Sequence, residues 1–254
     1  MISWSEKRKF YYGAGVVVVL LLIFSFVFFG LFYRAPTCTD GKQDGDETGV
    51  ECGGSCPNLC QGDTVAPIVY WSKFFNVSGG VYDLAAFVEN PNLTSENSQA
   101  AYEFKVFDGD NLLIGTRDGE TFIPKNKKFI IFEPGFVIQN RTPKYVEFDF
   151  TSFGVWQKDS APEPDISVTY SPLSATTTSP RIDGVVSNNS TQDINEVELT
   201  AEVEDQNENT VAVSRTFVDN LTAGSSQNFV FTWPKPFGGN VINIIYRIVP
   251  TEFQ

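Results

Sequence analysis

The chain has no histidine and one methionine, and it is short of positive charge. Its 18 lysines and arginines face 31 aspartates and glutamates, for a net charge of −13 across 254 residues. Without imidazole there is no Ser-His-Asp or Cys-His machinery and no zinc site of the histidine type. Nor will so acidic a chain hold nucleic acid or anionic lipid non-specifically, because its own field repels phosphate. Cysteine is confined to four positions, Cys38, Cys52, Cys56 and Cys60. Charge is missing altogether from Phe10 to Tyr33. These gaps lead us to expect a protein that is not an enzyme and needs no organic cofactor.

The charge-free stretch contains VVVVLLLIFSFVFFGLF. As a helix, Tyr11 to Phe32 would rise about 33 Å, enough to cross a bilayer core. Its β-branched residues are no objection, since in lipid a helix alone satisfies its own backbone. Aromatic residues cluster at both ends, Trp4, Tyr11 and Tyr12 at one and Phe32 and Tyr33 at the other. A cleaved signal peptide is disfavoured, because the run exceeds the usual apolar core and no A-x-A site follows. Lys7, Arg8 and Lys9 precede the run and only Arg34 follows closely. The positive-inside rule then leaves the N-terminus in the cytoplasm and exports the rest. The expected localisation is a single-pass cell-membrane protein, in contact with lipid through residues 11–33.

The cysteines follow in APTCTDGKQDGDETGVECGGSCPNLCQGD. Their spacing, C-x13-C-x3-C-x3-C, contains no CxxC pair and suits zinc poorly. The exported topology favours two disulfides of undetermined pairing. The segment has too few apolar residues for a core, so crosslinks would stabilise it, by about 3 kcal/mol for a 15-residue loop. Asp40, Asp44, Asp46, Glu47 and Glu51 alternate with glycines. Hard cations take such oxygens, so calcium is a candidate ligand, weighed against solvated acids on a disulfide knot.

Beyond residue 64 the pattern changes to short strands that repeat. The first copy runs through VYDLAAFVENPN, AYEFKVFDGDNLLIGTRDG and ETFIPKNKKFIIFEP to KYVEFDF. A second copy runs through RIDGVVSNNS, EVELTAEVEDQNENTVAVSRT and FVDNLTAGSSQNFVFTWP to VINIIYRIVP. Aligned in order, Asp83 matches Asp183, and Asn90-Pro91-Asn92 matches Asn188-Asn189. Tyr102, Phe104 and Val106 alternate with polar residues, as do Val197, Leu199, Ala201 and Val203. A period of two with turn formers at Asp108-Gly109 and at Asn207 to Asn209 marks hairpins with one buried face. We therefore expect a mainly β chain with one N-terminal transmembrane helix, a small disulfide-rich module and two tandem Ig-like β-sandwich domains. Residues 1–10 form a tail, 11–33 the membrane helix, 34–63 the acidic module, 64–155 and 166–254 the sandwiches, and 156–165, around SAPEPD, the linker.

Two resemblances accompany this reading. Residues 38–56 match the pattern CxDGxxxxxExGxxCGGxC of bacterial cell-surface modules, and are loosely similar to the aspartate loops of thrombospondin type-3 repeats. That likeness implies a surface location and a spacer role. Each β copy resembles the FxLYD and late-embryogenesis water-stress domains, through Phe87-Val88-Glu89-Asn90 and Val185-Val186-Ser187-Asn188, through Val106-Phe107-Asp108-Gly109 and Val203-Glu204-Asp205, and through Ala223-Gly224 to Phe229. Pro124 to Phe129 lacks the glycine of the last element. The resemblance implies immunoglobulin-type sandwiches on envelope proteins, without catalysis.

Trp71, Phe74, Phe75, Trp156 and Trp233 are candidates for an interaction surface, or for core and inter-domain packing. Sequons begin at Asn76, Asn92, Asn140, Asn188, Asn189 and Asn220. The expected function is structural or interaction display on the cell surface, with an envelope protein as partner and no nucleic acid. One alternative is a subunit of an envelope assembly, secretion or pilus complex. Another is a carboxylate-dependent glycan hydrolase using Glu103 with Asp108, or Glu147 with Asp149, which lie two apart on one strand face.

Overall fold

A computed structural model describes residues 4–32, 37–174, 178–237 and 241–253. It divides into two compact units, residues 1–54 and 55–254.

In the first unit, α1 runs Trp4–Phe32, 29 residues. It takes in Trp4 to Phe10, so most of the expected tail, residues 1–10, is helical. Lys7, Arg8 and Lys9 are good helix formers, and no proline or glycine interrupts them. The Arg8 guanidinium stacks 3.7 Å above the Trp4 ring, one helical turn away. From Val16 to Phe29 the large apolar side chains are 46–83% exposed. A helix apolar on every side and uncovered by protein has the length and composition to cross a membrane. Tyr33 and Arg34, read as the far end of the span, lie outside the described residues.

The regular structure of the second unit's described residues is β, and the chain traces one topology twice. In the first copy, β1 (Ile68–Ser78), β2 (Val81–Glu89) and β5 (Lys128–Val137) form a sheet in the order β1-β2-β5. Facing it are β4 (Leu113–Ile123), β3 (Ser95–Phe107) and β6 (Tyr145–Phe153), ordered β4-β3-β6. In the second copy, β8 (Ile166–Tyr170), β9 (Arg181–Asn188) and β12 (Ser226–Thr232) form β12-β9-β8, and β11 (Thr210–Leu221), β10 (Ile194–Asp205) and β13 (Val241–Phe253) form β11-β10-β13. All pairings are antiparallel.

The alternating residues fill two cores. Leu84, Val88, Phe104, Val106, Ile131 and Phe148 meet in the first. Ile182, Val186, Val197, Val203, Phe229 and Phe231 meet in the second. Phe104 is fully buried, and its ring lies 4.9 Å from that of Phe148. Burial of one such side chain contributes about 2–3 kcal/mol.

The repeat extends to the turns. Asn90 and Asn188 are both buried, and each amide donates to two backbone carbonyls: Ser95 and Pro124 (2.7 and 2.8 Å), and Gln192 and Leu221 (2.8 and 3.0 Å). Counting back from these asparagines sets Asp183 level with Ala85. The sequence match of Asp83 to Asp183 therefore slips by two residues. The β3–β4 and β10–β11 hairpins are equivalent as well. Asp108 Oδ1 accepts the N–H groups of Asp110 and Leu112, both at 3.0 Å, and Asp205 Oδ1 accepts those of Asn207 and Asn209 at 2.8 and 3.0 Å. Asn111 and Glu208 take the left-handed conformation at matching places, φ 59° and 61°.

The stretch read as a linker is tied down. Its first residues form β7 (Trp156–Lys158), which pairs with Ser95 to Asn97 of β3. Lys125 holds Asp159 at 2.7 Å, and Lys127 holds Glu163 at 2.9 Å. Residues just after Gly54 join the same edge, where Leu59 N–H donates to the Trp156 carbonyl at 2.8 Å and Lys158 N–H to that of Pro57 at 2.7 Å.

Candidate functional sites

The two sandwiches press their sheets together. In β2, residues 84, 86 and 88 face the first core, so Ala85 and Phe87 face the other way. They join Ile130, Phe132, Trp71 and Phe75 in a cluster that receives Val213 from β11. Opposite lie the outward residues of β10, Glu198, Thr200 and Glu202. Alternation alone would give these to solvent, yet Thr200 and Glu202 are each only 3% exposed. The register sets Thr200 between Arg215 of β11 and Arg247 of β13. Arg247 Nη2 donates to Glu202 Oε2 at 2.8 Å, and Thr210 Oγ1 donates to Glu202 Oε1 at 2.6 Å. The same guanidinium lies 4.2 Å from the Phe87 centroid, and that of Arg215 lies 5.7 Å from Phe132. The seam is thus a buried ion pair roofed by aromatic rings.

Two clefts open along this seam. One, of about 790 Å³, is lined by Lys73, Phe74, Lys144, Val211, Trp233 and Lys235 among others. A second, of about 870 Å³, holds Glu96, Glu120, Glu196, Glu198 and Asp219 around Arg215. Burial pushes the Glu198 carboxyl up to about 7, against the pull of Arg215. The Arg215 guanidinium lies 3.9 Å away.

The five aromatic residues singled out from sequence do not share one displayed patch. Trp71 and Phe75 sit in the seam, Phe74 and Trp156 pack on the first core, and Trp233 lies within the second. Their large apolar surfaces are used in packing.

In the acidic module all four cysteines, Cys38, Cys52, Cys56 and Cys60, are disulfide-bonded, giving two disulfides. Asp40 Oδ1 accepts the Lys42 N–H at 3.0 Å, Glu47 Oε2 that of Asp44 at 3.2 Å, and Glu51 Oε1 that of Gly41. The Asp46 carbonyl and side chain lie against Gly54. The Asp44 Oδ1 is buried without a hydrogen-bond donor among the described residues. Burial, then the charges of Asp40 and Glu47, push its carboxyl up.

Of the carboxylate pairs, Glu103 and Asp108 are not brought together as a pair. Leu112 N–H, then Arg141 and Asp110 N–H, hold Asp108 below the usual carboxylate range, which fixes it as a turn anchor. Glu103 instead takes Lys105 at 3.0 Å, which also reaches Asp149 at 3.9 Å. Glu147 and Asp149 are exposed on β6. Which residues meet across the seam carried no signal in the sequence, because the partners stand far apart along the chain, as Phe132 from Arg215 and Phe87 from Arg247.

No protein-family model matches the chain, and no curated protein does. Solved structures that match include the crystal structure of red sea bream transglutaminase. It is 11% identical over 65% of this chain and 27% of that chain, with a TM-score of 0.21. That match spans about a quarter of the transglutaminase, and likeness at this level carries no argument about function.

Proposed function

We propose that the chain is a single-pass, membrane-anchored protein of the cell surface or envelope, which displays two joined β-sandwiches for a structural or protein-interaction role without catalysis. The observation that carries this reading is α1. Its apolar side chains point outward around the whole helix, and water would leave that surface unsatisfied where lipid would not. The disulfides agree with an oxidising, exported location. The N-terminal Lys7-Arg8-Lys9 cluster then stays in the cytoplasm. The matching topology of the two copies supports a tandem of immunoglobulin type, as the FxLYD resemblance implies. The buried seam supports a display element that keeps its shape under load. Protease added outside intact cells would digest residues 64–254 in this arrangement, and full protection would overturn it.

An assembly role in a secretion or pilus complex is the alternative, separated by crosslinking in cells: a fixed set of envelope partners favours it. Calcium is the ion the acidic module would take, since an ion at Asp44 Oδ1 would supply the missing partner and relieve the crowded charges. Calorimetric titration of the full chain tests this, and no heat at millimolar calcium would remove it.

A further inference from the structure

We propose that the seam cleft lined by Lys73, Lys144 and Lys235 binds a small organic anion with an apolar body. Most lysines and arginines of the second unit stand within 4 Å of a carboxylate, from Lys105 on Glu103 to Arg247 on Glu202. Among the described residues Lys73, Lys144 and Lys235 have no such partner, and all three line this one cleft. In a chain of net charge −13 with carboxylates in excess, three cations left without carboxylate partners in one place form a local departure from the rest of the surface.

The acids that share the cleft are already engaged. Asp83 Oδ1 accepts the Gly135 N–H at 2.9 Å, and both Asp205 oxygens are used within its own hairpin. Asp83 and Asp205 keep their negative charge, and Lys73 also feels Glu202 and Glu204, so the three lysines leave the charged side chains of the lining with a small positive excess, three cations against two acids. Lys235 is held for the task. It stands between Pro234 and Pro236, whose rings fix the backbone on either side. Its Nζ reaches from the β12–β13 connection to Asn76 Oδ1 of β1 at 2.7 Å, bridging the two sandwiches. Lys73 is half-buried beside the Trp71 ring, at 5.0 Å. Phe74, Val211 and Trp233 supply apolar walls. About 790 Å³ matches the span of small-molecule sites, and apolar walls with a few fixed charges are their usual construction.

The test uses the full chain in lipid nanodiscs, with empty discs as reference. Naphthalene-2-sulfonate and its neutral sulfonamide are titrated by calorimetry. The sulfonate should saturate a single site and the sulfonamide should bind at least tenfold more weakly. The variant K144Q/K235Q, altered at two exposed positions, should keep the parent's circular dichroism and bind the sulfonate at least tenfold more weakly, and K144Q alone, which leaves the Lys235–Asn76 bridge intact, should melt like the parent and also bind more weakly. K128Q, which removes a cation outside the cleft, should bind like the parent. Equal binding of both probes, parent-like binding by K144Q/K235Q, or no saturable sulfonate binding would each overturn the proposal.

Discussion

Arg247 of the last strand lies across Phe87 of the second strand, with its guanidinium 4.2 Å from the ring centroid and its Nη2 2.8 Å from Glu202. One side chain thus ties the second sandwich to the first and neutralises a carboxylate that is 3% exposed. In Arg247→Met the ring contact survives in part, but the charge of Glu202 is left buried without its partner. The expected loss is about 3–5 kcal/mol by denaturant unfolding. Adding Glu202→Gln should recover most of it, because the uncompensated charge is then gone. Equal losses in the single and double variants would show that the charge is not the cause.

Asn90 and Asn188 make the same use of the same position, each tying its turn to the chain at the end of β4 or β11. Replacement by alanine strands two buried carbonyls, at about 2–3 kcal/mol for each variant. Asn188 opens a sequon, but its amide nitrogen is already bonded to Gln192 and Leu221. In a glycosylating host, mass spectrometry should find Asn188 unmodified, whereas exposed Asn140 and Asn76 are open to transfer. A glycan on Asn188 in folded protein would contradict the staple.

What the sequence made legible was local. Alternation at Tyr102, Phe104 and Val106, and at Val197 to Val203, assigned the inward faces correctly, because a strand's two faces follow from its period. The hairpin turns were legible from Asp108-Gly109 and Asn207 to Asn209, although the anchoring carboxylate of the second is Asp205. The outward face was not legible. Thr200 and Glu202 sit where alternation predicts solvent, and they are buried only because another sheet covers them. The run Leu84-Ala85-Ala86-Phe87-Val88 held a hint, since it lacks polar alternation and so marks a strand buried on both faces. Trp71 and Phe75 could be read as displayed or packed until the covering sheet was known. Nothing local marks Lys73, Lys144 and Lys235 as neighbours.

Glu198 makes the seam sensitive to pH. In the fold it keeps its proton up to about 7, while in the unfolded chain it ionises near 4.5. Unfolding between these values releases a proton, so stability falls as pH rises from about 4.5 to about 7 and stays at the lower level above. Glu198→Gln removes this dependence. It should change little at pH 4.5 and stabilise by about 2–3 kcal/mol at pH 8, read from chemical unfolding at both values. A pH-independent difference would assign its effect to packing.

Gly53 explains the double glycine of the acidic module and gives it a test. Its φ is +78°, a region that L side chains rarely adopt, and an added Cβ would collide with Thr48 Oγ1. Thr48 cannot easily withdraw, because its N–H and that of Gly49 both donate to the Cys52 carbonyl at 3.2 Å. Gly53→Ala should therefore displace Cys52 and hinder its disulfide. Alkylation followed by intact mass should reveal free thiols in the variant and none in the parent. Gly41 has a similar φ of +75° but open space around its missing side chain, so it separates strain from collision. Gly41→Ala should cost about 1 kcal/mol from the backbone alone and leave oxidation complete. If both variants oxidised like the parent, the turn around Thr48 would have to be more adaptable than its hydrogen bonds imply.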